Sequence, residues 1–248
     1  MKRISFIFVL LIYVFSSVYS QESKNNINFA AEEESRKKSE NKYQFSVGYR
    51  IEAGYVQDWQ HSRSLSYPDL YLHGARVGGM VSFALPYWLS LEVGLRYSLT
   101  TGITEQHIRA TQLDVTQAQW LKHNVMEHRL AVPLLINYDL QLWRLLSMHF
   151  FTGPQFELGL AQTDNIVSQL DPTTVAWMQK NGMHTESYER YSAGELNRFC
   201  FSWTIGGGFQ WDKYRLSAGY DFGLNNLARN TEQHMWQWSW FVSFSYRF

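Results

Sequence analysis

The last thirteen residues of the chain alternate between large apolar side chains and small or polar ones. Because successive side chains of a strand point to opposite sides, one side of this segment is apolar: Trp236, Trp238, Trp240, Val242, Phe244, Tyr246 and Phe248. The other side carries mostly Gln237, Ser239, Ser243, Ser245 and Arg247. Such an aromatic side must lie in an apolar environment, and this requirement limits the folds that the chain can adopt.

Eight segments with this alternation can be identified, each bounded by turn residues. They cover approximately residues 43–55, 73–85, 89–100, 128–139, 147–160, 198–211, 214–223 and 235–248. The apolar sides of these segments carry no Asp, Glu, Lys or Arg, although 18% of the chain is charged. An Arg or Lys that faces lipid at mid-depth costs ~2–4 kcal/mol. The missing charge therefore predicts that the apolar side faces a membrane.

The opposite side of the segments carries charge and glycine. We expect nine of its charged residues to form an interior ion-pair network, since isolated buried charge is costly: Arg50, Glu52, Arg76, Glu92, Arg96, Glu157, Arg215, Asp221 and Arg247. Most of the 16 glycines, such as Gly206 and Gly219, also fall on this side. The interior of an eight-stranded barrel is just wide enough for side chains, so the side with small residues must be the inner one. The sequence predicts an all-β fold, an eight-stranded antiparallel transmembrane β-barrel, over a soluble barrel with an apolar core.

The chain divides into three predicted regions. Residues 1–20 have the pattern of a secretory signal peptide, with Lys2 and Arg3 before an apolar run. Residues 21–42 are polar and charged, and we expect a flexible periplasmic segment. Residues 43–248 form the predicted outer-membrane barrel.

Short and long connections alternate, as they do in outer-membrane barrels. The short connections lie at residues 86–88, 141–145 and 212–213, and the long ones at 56–72, 101–127, 161–197 and 224–234. An even strand number places both ends of the barrel domain on one side, the periplasm, so the long loops face outside. Residues 103–109 and 122–128 alternate enough to extend two strands beyond the membrane as a hairpin.

A short helix is predicted over 172–180 in the third long loop. Asp171 suits the cap, Pro172 the first helical position, and Gly182 the stop. Val175, Trp177 and Met178 form an apolar edge that either packs against neighbouring loops or binds a partner.

The composition and motifs argue against several classes of function. Without Lys2 and Arg3 the chain has 20 basic and 22 acidic residues, which does not favour nucleic-acid binding. The only cysteine is Cys200, and His123, Glu127 and His128 lack the spacing of a zinc helix. We therefore expect no cofactor, no metal site, no catalytic residue and no enzymatic activity.

Several segments resemble the strand motifs of the Bacteroidota-type outer-membrane β-barrel domain, often labelled the porin family. They are residues 130–138, 150–160, 199–211 and 215–227, followed by the closing Tyr246-Arg247-Phe248. The resemblance implies a location in the cell outer membrane, contact with its lipid, and insertion by the barrel-assembly machinery through a C-terminal signal at Tyr246 and Phe248.

Three functions are compatible with these features. The favoured one is a closed barrel with a structural or interaction role, which binds a protein partner through its extracellular loops. A narrow ion or solute channel along the inner charges is the second. An accessory barrel of a type IX secretion machine, similar in size to PorT-like barrels, is the third.

Overall fold

A computed structural model describes residues 46–62, 69–108, 119–143, 145–180, 184–230 and 234–248. The predicted signal peptide, the segment 21–42 and the first residues of the predicted first strand lie outside this range. The described residues form nine strands and one helix. These are β1 (Val47–Ser62), β2 (Leu70–Ala84), β3 (Leu89–Ile108), β4 (Gln119–Gln141), β5 (Leu146–Gln169), α1 (Pro172–Lys180), β6 (Tyr188–Glu189), β7 (Phe199–Trp211), β8 (Tyr214–Gly223) and β9 (Met235–Arg247).

Eight long strands form a closed antiparallel ring. Each pairs with its neighbour along the chain, with β5 followed by β7, and β1 pairs with both β2 and β9. The closing pair runs from Arg50 opposite Arg247 to Ser62 opposite Met235. The two-residue β6 adds only to the edge of β5, at Thr163 and Asp164. The predicted eight-stranded barrel is confirmed.

The two sides of each strand differ in the way the sequence predicted. Outward side chains such as Ile51, Leu95 and Phe244 are 53–54% exposed, whereas Glu92 and Arg96 on the inner side are 2–3% exposed. The large apolar side therefore lies outside the ring and the charged side within it. A soluble barrel would have the reverse arrangement.

The strands at the end with the long connections extend further than predicted. The sequence ended the first strand at residue 55, but β1 continues to Ser62, β3 reaches Ile108, β4 starts at Gln119 and β5 reaches Gln169. Backbone pairing continues there although the outer side becomes polar, with residues such as Glu105 and Lys122. The loss of apolar alternation thus marks where the apolar surface ends, not where the strands end. The predicted β3–β4 hairpin extension is confirmed, with Arg109 outside the described residues.

Helix α1 has the predicted bounds. The Oδ1 atom of Asp171 accepts a 2.7 Å hydrogen bond from the backbone N–H of Thr174, and it also accepts one from the Thr173 hydroxyl. This is the N-cap geometry expected of Asp. These bonds lower the pKa of Asp171 to about 2. The predicted stop at Gly182 lies outside the described residues. No helix in the described part of the chain is long and apolar enough to cross a membrane.

Candidate functional site

The lumen holds four ion pairs around its apolar centre. Arg50 pairs with Glu92 at 2.7 Å and Arg215 with Asp139 at 3.3 Å near the short turns, and Arg96 pairs with Glu52 at 2.5 Å. Arg76 pairs with Asp221 at 3.3 Å on the long-loop side of Phe241. Arg50 bonds both oxygens of Glu92, and Arg215 also reaches Glu92 at 3.2 Å. Buried charges are tolerated when they are paired in this way.

An apolar layer lies between the pairs of Arg50 and Arg215 and the pair of Arg76 with Asp221. Val56, Met80, Leu135, Phe151 and Phe241 are all buried and in mutual contact. The ring of Phe151 lies against Gly206 and that of Phe241 against Gly219, where a Cβ atom would overlap the ring. The Arg76 guanidinium lies 3.6 Å from the centroid of Phe241, a cation–π contact. Inward glycines thus provide the space that the aromatic rings occupy.

The half of the lumen next to the long loops is centred on Arg129. Its guanidinium contacts three carboxylates: Asp58 at 3.0 Å, Glu127 at 2.7 Å and Glu157 at 3.0 Å. Glu157 also accepts a 2.6 Å hydrogen bond from the Ser202 hydroxyl. All four charged side chains are buried. A single cation therefore holds three acids away from water, which makes Arg129 the central residue of this half.

The connection between α1 and β7 folds into the barrel mouth. We call residues 184–198 the mouth segment. Its Tyr191 donates a 2.9 Å hydrogen bond to Oε1 of Glu127, and its ring packs directly on Gly159 of β5. Tyr191 also joins a buried apolar cluster with Leu196, Leu227, Ala228 and Met235.

Ionic contacts hold the mouth segment in shape. The Arg190 Nε atom donates to Oε2 of Glu195 at 3.2 Å, and the Tyr188 hydroxyl donates to the same oxygen at 3.0 Å. Burial raises the pKa of the Tyr191 phenol well above its usual value, and the nearby Glu127 carboxylate raises it further. Burial likewise raises the pKa of Tyr188. Both tyrosines are therefore kept in the neutral, hydrogen-bonding form.

The structure places the nine predicted interior charges as follows. Arg50, Glu52, Arg76, Glu92, Arg96, Glu157, Arg215 and Asp221 all take part in the interior ion pairs. Arg247 is more exposed and lines the cavity at the short-turn end.

Sequence reasoning missed four important interior charges. Arg129 and Asp139 lie within a predicted strand and on its polar side, so the alternation was sufficient to find them. Asp58 lies in a strand extension that was assigned to a loop, whereas Glu127 lies in the predicted hairpin extension and was considered only as a metal ligand. Nothing in the sequence pattern indicated that Tyr191 enters the mouth.

The three residues of α1 that were predicted to bind a partner or pack against loops differ in their exposure. Met178 is buried, Val175 is partly buried, and Trp177 is 39% exposed. Of the three, Trp177 offers the most accessible apolar surface.

The histidines considered as metal ligands do not converge. His123 faces inward and bonds Asp164 at 2.8 Å, whereas His128 faces outward and bonds the Tyr97 hydroxyl at 2.6 Å. Among the residues that the structure describes, no group of three or more His, Cys, Asp or Glu side chains is arranged to hold a metal ion.

A closed ring of eight strands, with an apolar exterior and a paired polar interior, defines a transmembrane β-barrel of the outer-membrane class. The chain belongs to the outer membrane protein beta-barrel domain family, whose model matches residues 12–229. The protein accordingly lies in the outer membrane, with its short turns in the periplasm and its long loops outside the cell.

Solved structures of outer-membrane proteins are similar to this chain. Neisserial surface protein A (NspA) has 8% identity and a TM-score of 0.43, over 82% of this chain and 99% of that one. OprG from Pseudomonas aeruginosa has 8% identity and a TM-score of 0.40, over 82% and 97%. Ail, the attachment invasion locus protein of Yersinia pestis, has 11% identity and a TM-score of 0.36, over 82% and 99%. The comparison with curated proteins found no match.

Proposed function

We propose that this protein is a closed, non-enzymatic barrel that presents a folded extracellular surface to a protein partner. The observation that carries the proposal is the insertion of Tyr191 into the mouth, where it bonds Glu127 and packs on Gly159. A loop that is anchored in the lumen presents one conformation, and pre-organisation lowers the entropic cost of binding.

The interior supports this role over that of a channel. Below the inserted tyrosine, the lumen is filled by the apolar layer around Phe151 and Phe241. Beside it, buried side chains form a hydrogen-bonded chain from Arg96 through Gln155 to Glu157. A cavity beside this layer, lined by Leu135 and Phe241, has a volume of about 10 Å³. That volume is near the minimum for a single water molecule, so a hydrated ion would have to displace side chains to pass.

Planar-bilayer recording tests the closed state. The purified full chain is expected to give no stable single-channel current. Replacing Phe241 and Phe151 together with Ala, which removes the apolar layer, serves as the matched open variant. Steady currents from the unmodified protein that change ion selectivity after Arg50→Gln and Arg96→Gln would establish the channel function instead.

Crosslinking in living cells tests the interaction role. A photoreactive residue at Trp177, on the exposed side of α1, is expected to capture a discrete protein partner. The same residue at Phe209, which faces lipid, is the control. Identical products from both positions would contradict the proposal. Capture of secretion subunits would favour the type IX accessory role, which otherwise stays a prediction. The assignment to the Bacteroidota-type porin family also stays a prediction.

The C-terminal strand is the proposed contact with the barrel-assembly machinery. Phe248 is 69% exposed, its ring lies edge-on to Tyr246, and its backbone N–H bonds the carbonyl of Tyr49. Phe248→Ala is expected to slow insertion by the purified machinery but not spontaneous insertion into thin bilayers. Equal slowing in both assays would indicate a general folding defect instead.

A further inference from the structure

A depression interrupts the lipid-facing surface of β5, β7 and β8. Its floor is formed by Gly207 and Ala218, which are direct partners across the β7–β8 pair. Larger outward side chains surround this floor: Met148, Phe150, Ile205, Phe209 and Tyr220. The depression has a volume of about 540 Å³. Small-molecule sites usually measure roughly 300–1,000 Å³, so the side of the barrel that faces acyl chains carries a depression of ligand size.

The floor of the depression is kept low by close packing at Gly207. A Cβ atom there would lie 2.8 Å from the carbonyl oxygen of His149 and 3.1 Å from the ring of Phe150. Gly79 also faces lipid, but a Cβ atom at Gly79 would meet no atom within 4 Å. Gly79 thus lies on open surface, whereas Gly207 is walled by its neighbours and a larger residue cannot fill its position without displacing backbone.

The depression lies in the periplasmic half of the barrel wall. Gly207 is nearer to Trp211, at the periplasmic end of β7, than to Phe199 at the other end. Towards the cell exterior, the Trp203 indole donates a 2.8 Å hydrogen bond to the Thr152 hydroxyl, so that this side chain reaches from β7 to β5. The depression is therefore at the depth of the acyl chains of the periplasmic leaflet.

The β7–β8 turn at the foot of this face carries an acid next to a base. Asp212 and Lys213 are both exposed, and neither forms an ion pair among the residues that the structure describes. The Asp212 backbone has a φ of 52°, a conformation in which Asp and Asn are enriched. Its N–H donates a 3.0 Å hydrogen bond to the carbonyl of Leu145 in the β4–β5 turn. The backbone that carries the two charges is thus held in place.

The turn lies at the level of the lipid headgroups. Trp211 and Tyr214 flank it and are 66% and 52% exposed, and exposed Trp and Tyr are typical of the membrane–water interface. The Lys213 ammonium lies 5.9 Å from the centroid of the Tyr246 ring, on the outer side of the barrel. Both charges can therefore reach a headgroup whose acyl chain runs up the same face.

We propose that one phosphatidylethanolamine molecule of the periplasmic leaflet binds this face, with an acyl chain in the depression and its headgroup at the β7–β8 turn. Lipid tails are as apolar as the side chains, so binding within the bilayer depends on packing. An unfilled depression loses dispersion contacts, and a flexible chain can follow its shape. The headgroup offers a phosphate to Lys213 and an ammonium with N–H donors to Asp212. Phosphatidylcholine lacks these donors, and phosphatidylglycerol lacks the positive charge.

Nuclear magnetic resonance of the full chain in phosphatidylcholine nanodiscs, with the isoleucine δ1 methyl groups labelled, tests the site. Ile205 lies at the depression, and Ile51 on β1 reports ordinary lipid contact; they are 48% and 54% exposed. The probe is phosphatidylethanolamine with a nitroxide on one acyl chain, added in increasing amounts. We expect the relaxation enhancement at Ile205 to saturate while that at Ile51 still rises in proportion to the probe. Nitroxide-labelled phosphatidylcholine should give a proportional rise at both methyl groups.

Two pairs of variants separate the chain site from the headgroup site. Ala218→Leu fills the depression and should abolish saturation at Ile205, whereas Ala53→Leu adds the same group at another exposed, lipid-facing position and should not. Asp212→Asn, which suits the same backbone angle, should raise the half-saturating mole fraction about two- to fivefold, as expected for loss of an exposed ionic contact. Glu105→Gln removes a carboxylate at the other end of the barrel and should leave it unchanged. An unchanged Ile51 signal shows that each variant is folded.

Several results would overturn the proposal. Proportional enhancement at Ile205 with every probe would show ordinary annular lipid. Equal effects of Ala218→Leu and Ala53→Leu would show that the depression is not the site. Saturation by labelled phosphatidylglycerol at a lower mole fraction than by phosphatidylethanolamine would contradict the choice of headgroup. An enhancement at Ile205 below that at Ile51, with two barrels in each disc, would show that a second copy covers this face.

Discussion

The hydroxyl of Tyr191 donates a 2.9 Å hydrogen bond to Glu127, which in turn contacts Arg129 at 2.7 Å. An extracellular loop is thereby connected to the central ion cluster of the lumen. The loop conformation and the interior charges depend on each other through these two contacts. The closed form of the barrel can therefore be tested by substitutions in the loop, at Tyr191, or in the lumen, at Arg129.

Removing the Tyr191 side chain should open the mouth. Cys200, the only cysteine of the chain, is buried on β7 close to Tyr191. Tyr191→Ala is expected to increase the rate of Cys200 labelling by a small water-soluble thiol reagent, because the ring no longer covers the lumen. Tyr191→Phe should give a smaller increase, since only the hydrogen bond is lost. Tyr87→Phe in the periplasmic turn should have no effect, and labelling at the wild-type rate in Tyr191→Ala would contradict the covering role.

Adding one methyl group at Gly159 should have a similar consequence. A Cβ atom there would overlap the Tyr191 ring, so Gly159→Ala must displace the ring or the strand. We expect faster Cys200 labelling in Gly159→Ala and no additional increase when Tyr191→Ala is combined with it, because both changes act on one contact. Strictly additive rates would show that the two residues act independently.

The mouth segment should be sensitive to alkaline pH. Burial raises the pKa of both Tyr188 and Tyr191 above the usual value of about 10. A group with a raised pKa in the folded state contributes stability that is fully present below its unfolded pKa and is lost as the pH rises towards the folded pKa. The closed mouth should thus be unaffected below about pH 10 and should weaken above it.

Tyrosinate absorbance measures this effect directly. The absorbance of Tyr191→Phe is subtracted from that of the wild type at about pH 10. This difference should contain no tyrosinate signal in the folded protein, but it should contain one in the denatured protein. Because the thiolate is the reactive form, Cys200 labelling should become faster with pH in every variant. Above about pH 10 the increase should be steeper in the wild type than in the double variant Tyr188→Phe, Tyr191→Phe, in which no tyrosine of the mouth segment ionises. Ordinary titration of Tyr191 in the folded state would refute a buried phenol.

Replacing Arg129 should destabilise the barrel more than any surface cation does. Arg129→Met leaves Asp58, Glu127 and Glu157 without their shared cation, and breaking a buried pair costs ~3–5 kcal/mol. The free energy of unfolding can be measured by urea titration in bilayers. Adding Glu127→Gln to the variant should recover part of the loss, because it removes one of the uncompensated acids. Lys213→Gln is the control, and an equal effect of both single variants would contradict the central role of Arg129.

One strand provides a matched test of the membrane boundary. Leu95 and Ile103 both face outward on β3 and are 54% and 61% exposed, but Ile103 lies in the extension towards the cell exterior. Leu95→Arg should lower the free energy of unfolding by ~2–4 kcal/mol, and Ile103→Arg by ~0–1 kcal/mol. Equal costs at the two positions would place the lipid boundary elsewhere.

The sequence was informative wherever a local pattern determines the structure. Alternation over residues such as Leu91, Val93 and Leu95 is sufficient to identify a strand and its outer side, and Asp171 with Pro172 is sufficient to start a helix. The ends of the strands were wrong because β1 and β5 continue where both sides carry polar residues. Asp58 was missed for this reason, since it belongs to a strand extension beyond the apolar alternation.

The mouth contact depends on distant parts of the chain. Tyr191 and Gly159 are separated by 32 positions, and Glu127 lies on another strand. A tyrosine in a polar loop gives no local signal that it will be buried. The pairing of Arg129 with three acids likewise depends on which strands meet across the lumen, and only the closed ring determines that.

The packing of Phe151 on Gly206 and of Phe241 on Gly219 has a consequence for assembly. A two-residue shift of β8 in either direction would bring Ser217 or Asp221 towards the ring of Phe241, and a shift of β7 in one direction would bring Thr204 towards the ring of Phe151. Misregistered barrels are thus penalised from within, independently of the thickness or composition of the surrounding bilayer. The packing of side chains in the lumen thus helps to select the correct alignment of these strands.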